Sequence, residues 1–98
     1  MALLALLIAG TTMSVPSFAG ASGLVGSAAA GQAISVTCSA CHGMDGNSLN
    51  PEWPTIAGQH ASYLLKALQS FKSGERQNVL MSGMAMPLTD EDMANLAA

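Results

Sequence analysis

Cys38, Cys41 and His42, within "VTCSACHGMDGN" (residues 36–47), are the side chains of this sequence best equipped for chemistry, and they include its only two cysteines. On a helix, Cys41 and His42 follow Cys38 by three and four positions, so two thiols and an imidazole can share one face. Three chemistries suit that set. A thioredoxin-like redox pair requires a βαβ setting, and no strand alternation is visible. A zinc site requires four ligands, and His60 is the one other evident nitrogen donor. The third is covalent haem attachment: each thiol adds to a haem vinyl group as a thioether, and the adjacent imidazole ligates the iron from one side. A plain Cys38–Cys41 disulfide is the bland alternative in an oxidising compartment.

The remaining composition bears on the choice. The chain has 98 residues, one domain at most. Aromatics make up 4% of it, and beyond the first 19 residues they are Trp53, Tyr63 and Phe71. So small a domain with so few large side chains struggles to stabilise itself through its own core, and a large apolar cofactor would supply what is missing. All the charges lie between Asp45 and Asp92, with a net charge of −3. There is no basic patch, which argues against a nucleic-acid partner.

The first 19 residues are uncharged, with an apolar run "ALLALLIAG" and a small-x-small ending, Ser17-Phe18-Ala19. They read as a signal peptide, 1–19, lacking the usual basic n-region. The run is too short for a bilayer span, so no stable membrane span is expected after cleavage. Residues 20–28 read as a flexible segment and 29–98 as the folded domain. An export signal agrees with haem attachment, which occurs outside the cytoplasm.

Three helices should position the site. The first begins near Ala28 and continues through "AAAGQAISVTCSAC", with Ala30, Ala33, Ile34 and Thr37 along one apolar face. Residues 42–59, punctuated by Gly, Pro and Asn, form a loop long enough to wrap around something. In "HASYLLKALQSFKSG" the residues Ala61, Leu64, Leu65, Leu68 and Phe71 recur at helical spacing, Lys66, Gln69 and Lys72 take the other side, and Gly74 is a natural stop. "ERQNVLMSGMAMP" reads as an irregular, methionine-rich connection. The last helix opens at Thr89, with Asp92 at the capping-box position.

"CSACHGMDGN", "PTIAGQHASYLLKALQSFKSGERQN" and "MSGMAMPLTDEDMANLAA" together resemble a class I c-type cytochrome, most like a single domain of the bacterial cytochrome c4 kind. The resemblance covers residues 29–98. It implies an all-α, small class I cytochrome c fold, three main helices wrapped around one covalently bound haem c, with the C-terminal helix cut short. It implies attachment through Cys38 and Cys41 and axial iron ligation by His42 and a methionine. Measured back from the helix start at Thr89, the family pattern selects Met81; Met84 and Met86, the latter in a Met-Pro context, are the alternatives, and His60 is the competing ligand. Pro54 matches the proline whose carbonyl orients the imidazole. Ile56, Tyr63, Leu64 and Leu68 are expected to line the pocket, and Arg76 to stabilise a propionate.

The function so implied is that of a periplasmic, monohaem electron carrier without substrate turnover of its own. Its partners would be redox proteins such as a quinol–cytochrome c reductase and a terminal oxidase. A haem subunit relaying electrons within a larger oxidoreductase, and a five-coordinate haem sensor, are the rival readings.

Overall fold

The structure is a computed structural model that describes residues 25–98 and Gly10; the expected signal peptide and most of the flexible segment lie outside the described residues. Among the described residues five helices occur in this order: α1 (Ala28–Ile34), α2 (Val36–His42), α3 (Ala61–Ser73), α4 (Val79–Ala85) and α5 (Asp90–Ala97). No strand occurs among the described residues.

The first expected helix is two helices. At Ser35 both the backbone N–H and Oγ donate to the Gln32 carbonyl, at 3.3 and 2.9 Å. These local bonds compete with the regular i to i−4 ladder, and the β-branched Ile34, Val36 and Thr37 around the break add little helix propensity. The apolar face expected on the first helix is also corrected: Ala30, Ala33, Ile34 and Thr37 are exposed, and Gly31 is the buried position of α1.

Backbone proximity explains that choice of face. A Cβ on Gly31 would stand 1.9 Å from the Asn95 carbonyl oxygen, and one on Gly26 would stand 1.8 Å from that of Ala94. The chain around α1 therefore lies directly against the α5 backbone, which only glycine permits. The Ser27 N–H donates to Asn95 Oδ1 at 2.8 Å and locks the crossing at its end.

Helix α3 follows its expected bounds. It ends at Gly74 in the left-handed conformation (φ 82°), after which the Arg76 N–H closes back on the Ser70 carbonyl at 3.0 Å. Lys72, expected on the solvent side, is half-buried and donates through Nζ to the Leu88 carbonyl, tying α3 to the turn before α5. The connection expected to be irregular contains helix α4, whose first turn is capped by the Asn78 side chain. Helix α5 starts with the expected capping box: the Asp92 N–H donates to Thr89 Oγ1 and the Thr89 N–H to Asp92 Oδ2, both at 3.0 Å.

The buried apolar side chains are Phe71 of α3, Ala85 of α4, and Met93, Ala94 and Ala97 of α5. Among the described residues helix α3 packs on α4 and α5, and α5 on α1, whereas α2 touches no helix except α1. The core thus sits on one side of the molecule, and the helix bearing the cysteines stands away from it.

Substituting Gly31→Ala drives a methyl group into the α5 backbone and is expected to destabilise the holoprotein by about 1–3 kcal/mol. Gly83→Ala in α4, where an added Cβ meets nothing within 4 Å, should instead be neutral or stabilise by roughly 0.5–1 kcal/mol. Guanidinium unfolding midpoints of the two variants check both signs.

Candidate functional site

Helix α2 brings Cys38, Cys41 and His42 onto neighbouring turns and ends at Gly43, whose φ of 87° turns the chain sharply. A Cβ there would lie 2.1 Å from the Asn47 carbonyl oxygen, so the turn excludes other residues. The loop that follows is pinned at several points. The Gly46 carbonyl accepts from the Ile56 and Ala57 N–H groups at 2.8 and 3.0 Å. The Ser48 N–H donates to Thr55 Oγ1 at 3.0 Å, and Ser48 Oγ reaches the carbonyls of Cys41 and Asn50 at 3.3 and 2.8 Å.

These bonds bring Pro54 over α2. Nδ1 of His42 lies 2.7 Å from the Pro54 carbonyl oxygen. A carbonyl only accepts, so Nδ1 carries the proton and Nε2 is left with its lone pair. The imidazole is thereby fixed in both tautomer and ring orientation, as a ligating histidine requires.

A cavity of about 380 Å³ opens beside this ring. Cys38 and His42 reach it from α2, and Pro54 and Ile56 from the loop. Tyr63, Leu64 and Leu68 reach it from α3, Arg76 from the chain beyond α3, and Met81 from α4. Among the described residues helices α2 and α4 do not touch each other, and the cavity lies between them. Cys41 is half-buried one turn beyond Cys38 without lining this space. Met84 and Met86 are 48% and 61% exposed and His60 is an exposed helix N-cap; none of the three lines the cavity. Met93 is a core residue, 1% exposed.

Sequence reasoning did not assign Ala67, Leu96 and Ala97 to the lining, and placed Phe71 on the apolar face of its helix but not in the pocket. Ala67 and Phe71 extend the stripe begun by Tyr63 and Leu64, so helical spacing could have found them. Leu96 and Ala97 come from a helix whose position depends on the glycine crossing with α1, and no local signal marks them. Arg76 also covers the Phe71 ring, its guanidinium carbon 4.6 Å from the centroid.

The other chemistries weighed for this motif lack their surroundings. Among the described residues no group of three or more His, Cys, Asp or Glu is assembled as a metal cluster, and no strand provides a βαβ unit. The two thiols are not joined to each other. Burial pushes the Cys38 thiol above the ordinary cysteine range, its own backbone opposes this, and a thiolate at Cys41 would push it further up. A raised value means less thiolate at a given pH.

Comparison with known proteins agrees with this geometry. The cytochrome c family profile matches residues 28–98. Cytochrome c4 of Pseudomonas aeruginosa is 49% identical over 74% of this chain and 36% of its own length. Cytochrome c-554(548) of Halomonas halodenitrificans is 45% identical over 74% of this chain and 92% of its own. Among solved structures, reduced recombinant cytochrome c4 from Pseudomonas stutzeri superposes with a TM-score of 0.71 at 44% identity, over 74% of this chain and 43% of that one. The chain thus spans little more than a third of the cytochrome c4 relatives. No described helix is long and apolar enough to cross a membrane. A Cys-x-x-Cys-His helix facing an apolar cavity, a proline carbonyl on its histidine and these likenesses converge: the chain belongs to the cytochrome c family, as a bacterial class I c-type cytochrome related to cytochrome c4.

Proposed function

We propose that this chain is a monohaem electron-carrier domain, with Cys38 and Cys41 as the thioether attachment points and His42 and Met81 as the axial iron ligands. The observation that carries the reading is one mainly apolar cavity reached by Cys38 and Met81 and by an imidazole whose Nδ1 is held by Pro54 at 2.7 Å. Its size falls within the range of pockets that hold compact ligands. Helix α2, which buries no side chain of its own, needs a partner on that face. The residues present therefore fit a covalently bound haem.

A haem held by Cys38, Cys41, His42 and Met81 would supply one-electron exchange between ferric and ferrous iron, and methionine ligation would raise its potential. The protein does the rest. Pro54 holds His42 in the tautomer that leaves Nε2 free, and the hydrogen bond makes the ring a stronger donor. Ile56, Leu64, Leu68 and Phe71 exclude water and keep the surroundings at low dielectric. Arg76, at the cavity wall, offers a cation for an acidic propionate. Met81, rather than Met84 or Met86, is the ligand on this reading, because it alone of the three faces the cavity.

With both axial positions filled by protein, the reading is an electron carrier with no substrate turnover of its own. Residues 1–19 read as an export signal, which places the carrier in the periplasm. Its partners on this reading are redox proteins of a respiratory chain, such as a quinol–cytochrome c reductase and a terminal oxidase.

The test is the optical spectrum of protein matured in an export-competent, haem-attaching host. A sharp c-type reduced band with the weak far-red band of methionine–iron ligation is expected. Met81→Ala should lose the far-red band and bind carbon monoxide when reduced; a variant that keeps the band and stays inert would rule out Met81.

A further inference from the structure

The turn of α4 that carries Met81 has little to hold it. The helix is seven residues long and contains Ser82 and Gly83, weak helix formers. Among the described residues it packs only against α3, and its buried residue, Ala85, lies at its far end. Val79 and Leu80, which open it, are 94% and 63% exposed and anchor nothing. Packing therefore fixes the end of α4 remote from Met81 and leaves the beginning free.

What holds the beginning is chiefly the Asn78 side chain. Asn78 Oδ1 accepts from the Leu80 N–H at 3.0 Å and from the Met81 N–H at 2.9 Å. These are amides that no helical carbonyl can reach. The Asn78 N–H in turn donates to Ser82 Oγ at 3.3 Å, and the Ser82 N–H to the Asn78 carbonyl at 2.8 Å, so residues 78 and 82 close on either side of Met81.

We propose that Asn78 is a positioning residue for Met81: by capping α4 it holds the backbone from which the methionine enters the cavity, and so sets how readily the sulfur leaves the iron. The inference rests on Met81 being the axial ligand, and its content is a division of labour between two caps. Asn78 controls ligand release. Thr89, a cap of similar strength on α5, stabilises a helix that lines the cavity through Leu96 and Ala97 but does not hold the Met81 turn, because among the described residues α5 packs on α1 and α3 and not on α4.

The experiment is an optical titration of the oxidised holoprotein with imidazole, which binds where Met81 has dissociated. Removing an N-cap side chain shifts helix opening enough that Asn78→Ala should bind imidazole roughly fivefold more tightly. Asn78→Asp keeps the acceptor and should stay within about twofold of the parent. Thr89→Ala should melt earlier and bind imidazole as the parent does. In the unmutated holoprotein, the Leu80 and Met81 amides should exchange more slowly than that of Val79, a readout that survives if Asn78→Ala fails to take up haem.

Imidazole affinity unchanged in Asn78→Ala, or raised equally in Asn78→Ala and Thr89→Ala, would overturn the proposal while Met81 remained the ligand. Fast exchange at Met81 would do the same. A far-red band that persists in Met81→Ala would remove the ligand assignment and this inference with it.

Discussion

The separation of α2 from the protein core governs the rest of this molecule. The core of the described residues is small: one phenylalanine, one methionine and three alanines, drawn from α3, α4 and α5. Helix α2 contributes nothing to it and meets only α1 among the helices, yet it carries both cysteines and His42. A helix of seven residues is not stable in isolation. Its attachment points in the protein are the short junction at Ser35, the contact with α1, the Ser48 bond to Cys41 and the Pro54 bond to His42. A cofactor bonded through two thioethers and one imidazole would join this helix to the far wall of the cavity, so the group that performs the function would also complete the fold.

The two ends of the chain make the frame for that arrangement. Around Gly26 and Gly31 the backbone approaches α5 so closely that no side chain fits between. Close contact of this kind is non-directional and weak per atom, but it is extended, and it is fixed in register by the Ser27–Asn95 bond. Because α5 also packs on α3, the crossing sets the distance across the cavity between the cysteine helix and the α3 wall. The loop between α2 and α3 then needs only to carry Pro54 to one atom of His42, and its serine, threonine and glycine bonds serve that placement.

Much of this was legible in the sequence because it is local. Cys-x-x-Cys-His puts three functional groups on one helical face by spacing alone, Thr89 and Asp92 announce a helix start, and Gly74 a helix end. The fold class followed from the absence of alternation and from a resemblance spread over most of the chain. Pro54, Ile56, Tyr63, Leu64, Leu68 and Arg76, expected around the pocket, all reach the cavity. The first helix misled, since its burial is selected by small size at a backbone crossing and its apolar residues are turned outward. Helix α4 was hidden because Ser82 and Gly83 interrupt its good helix formers and Met86-Pro87 follows after only seven residues; the capping Asn78 marks its start.

Residue types and short-range spacing therefore determined the attachment motif, the limits of α3, the start of α5 and the class of cofactor, all of which depend on neighbours a few positions away. Tertiary structure alone decided that Gly31 is the buried position of α1, that α5 lends Leu96 and Ala97 to the cavity wall, and that Lys72 turns inward to a carbonyl. Those outcomes depend on where separate helices meet, and the meeting is set by backbone approach and burial summed over the whole domain.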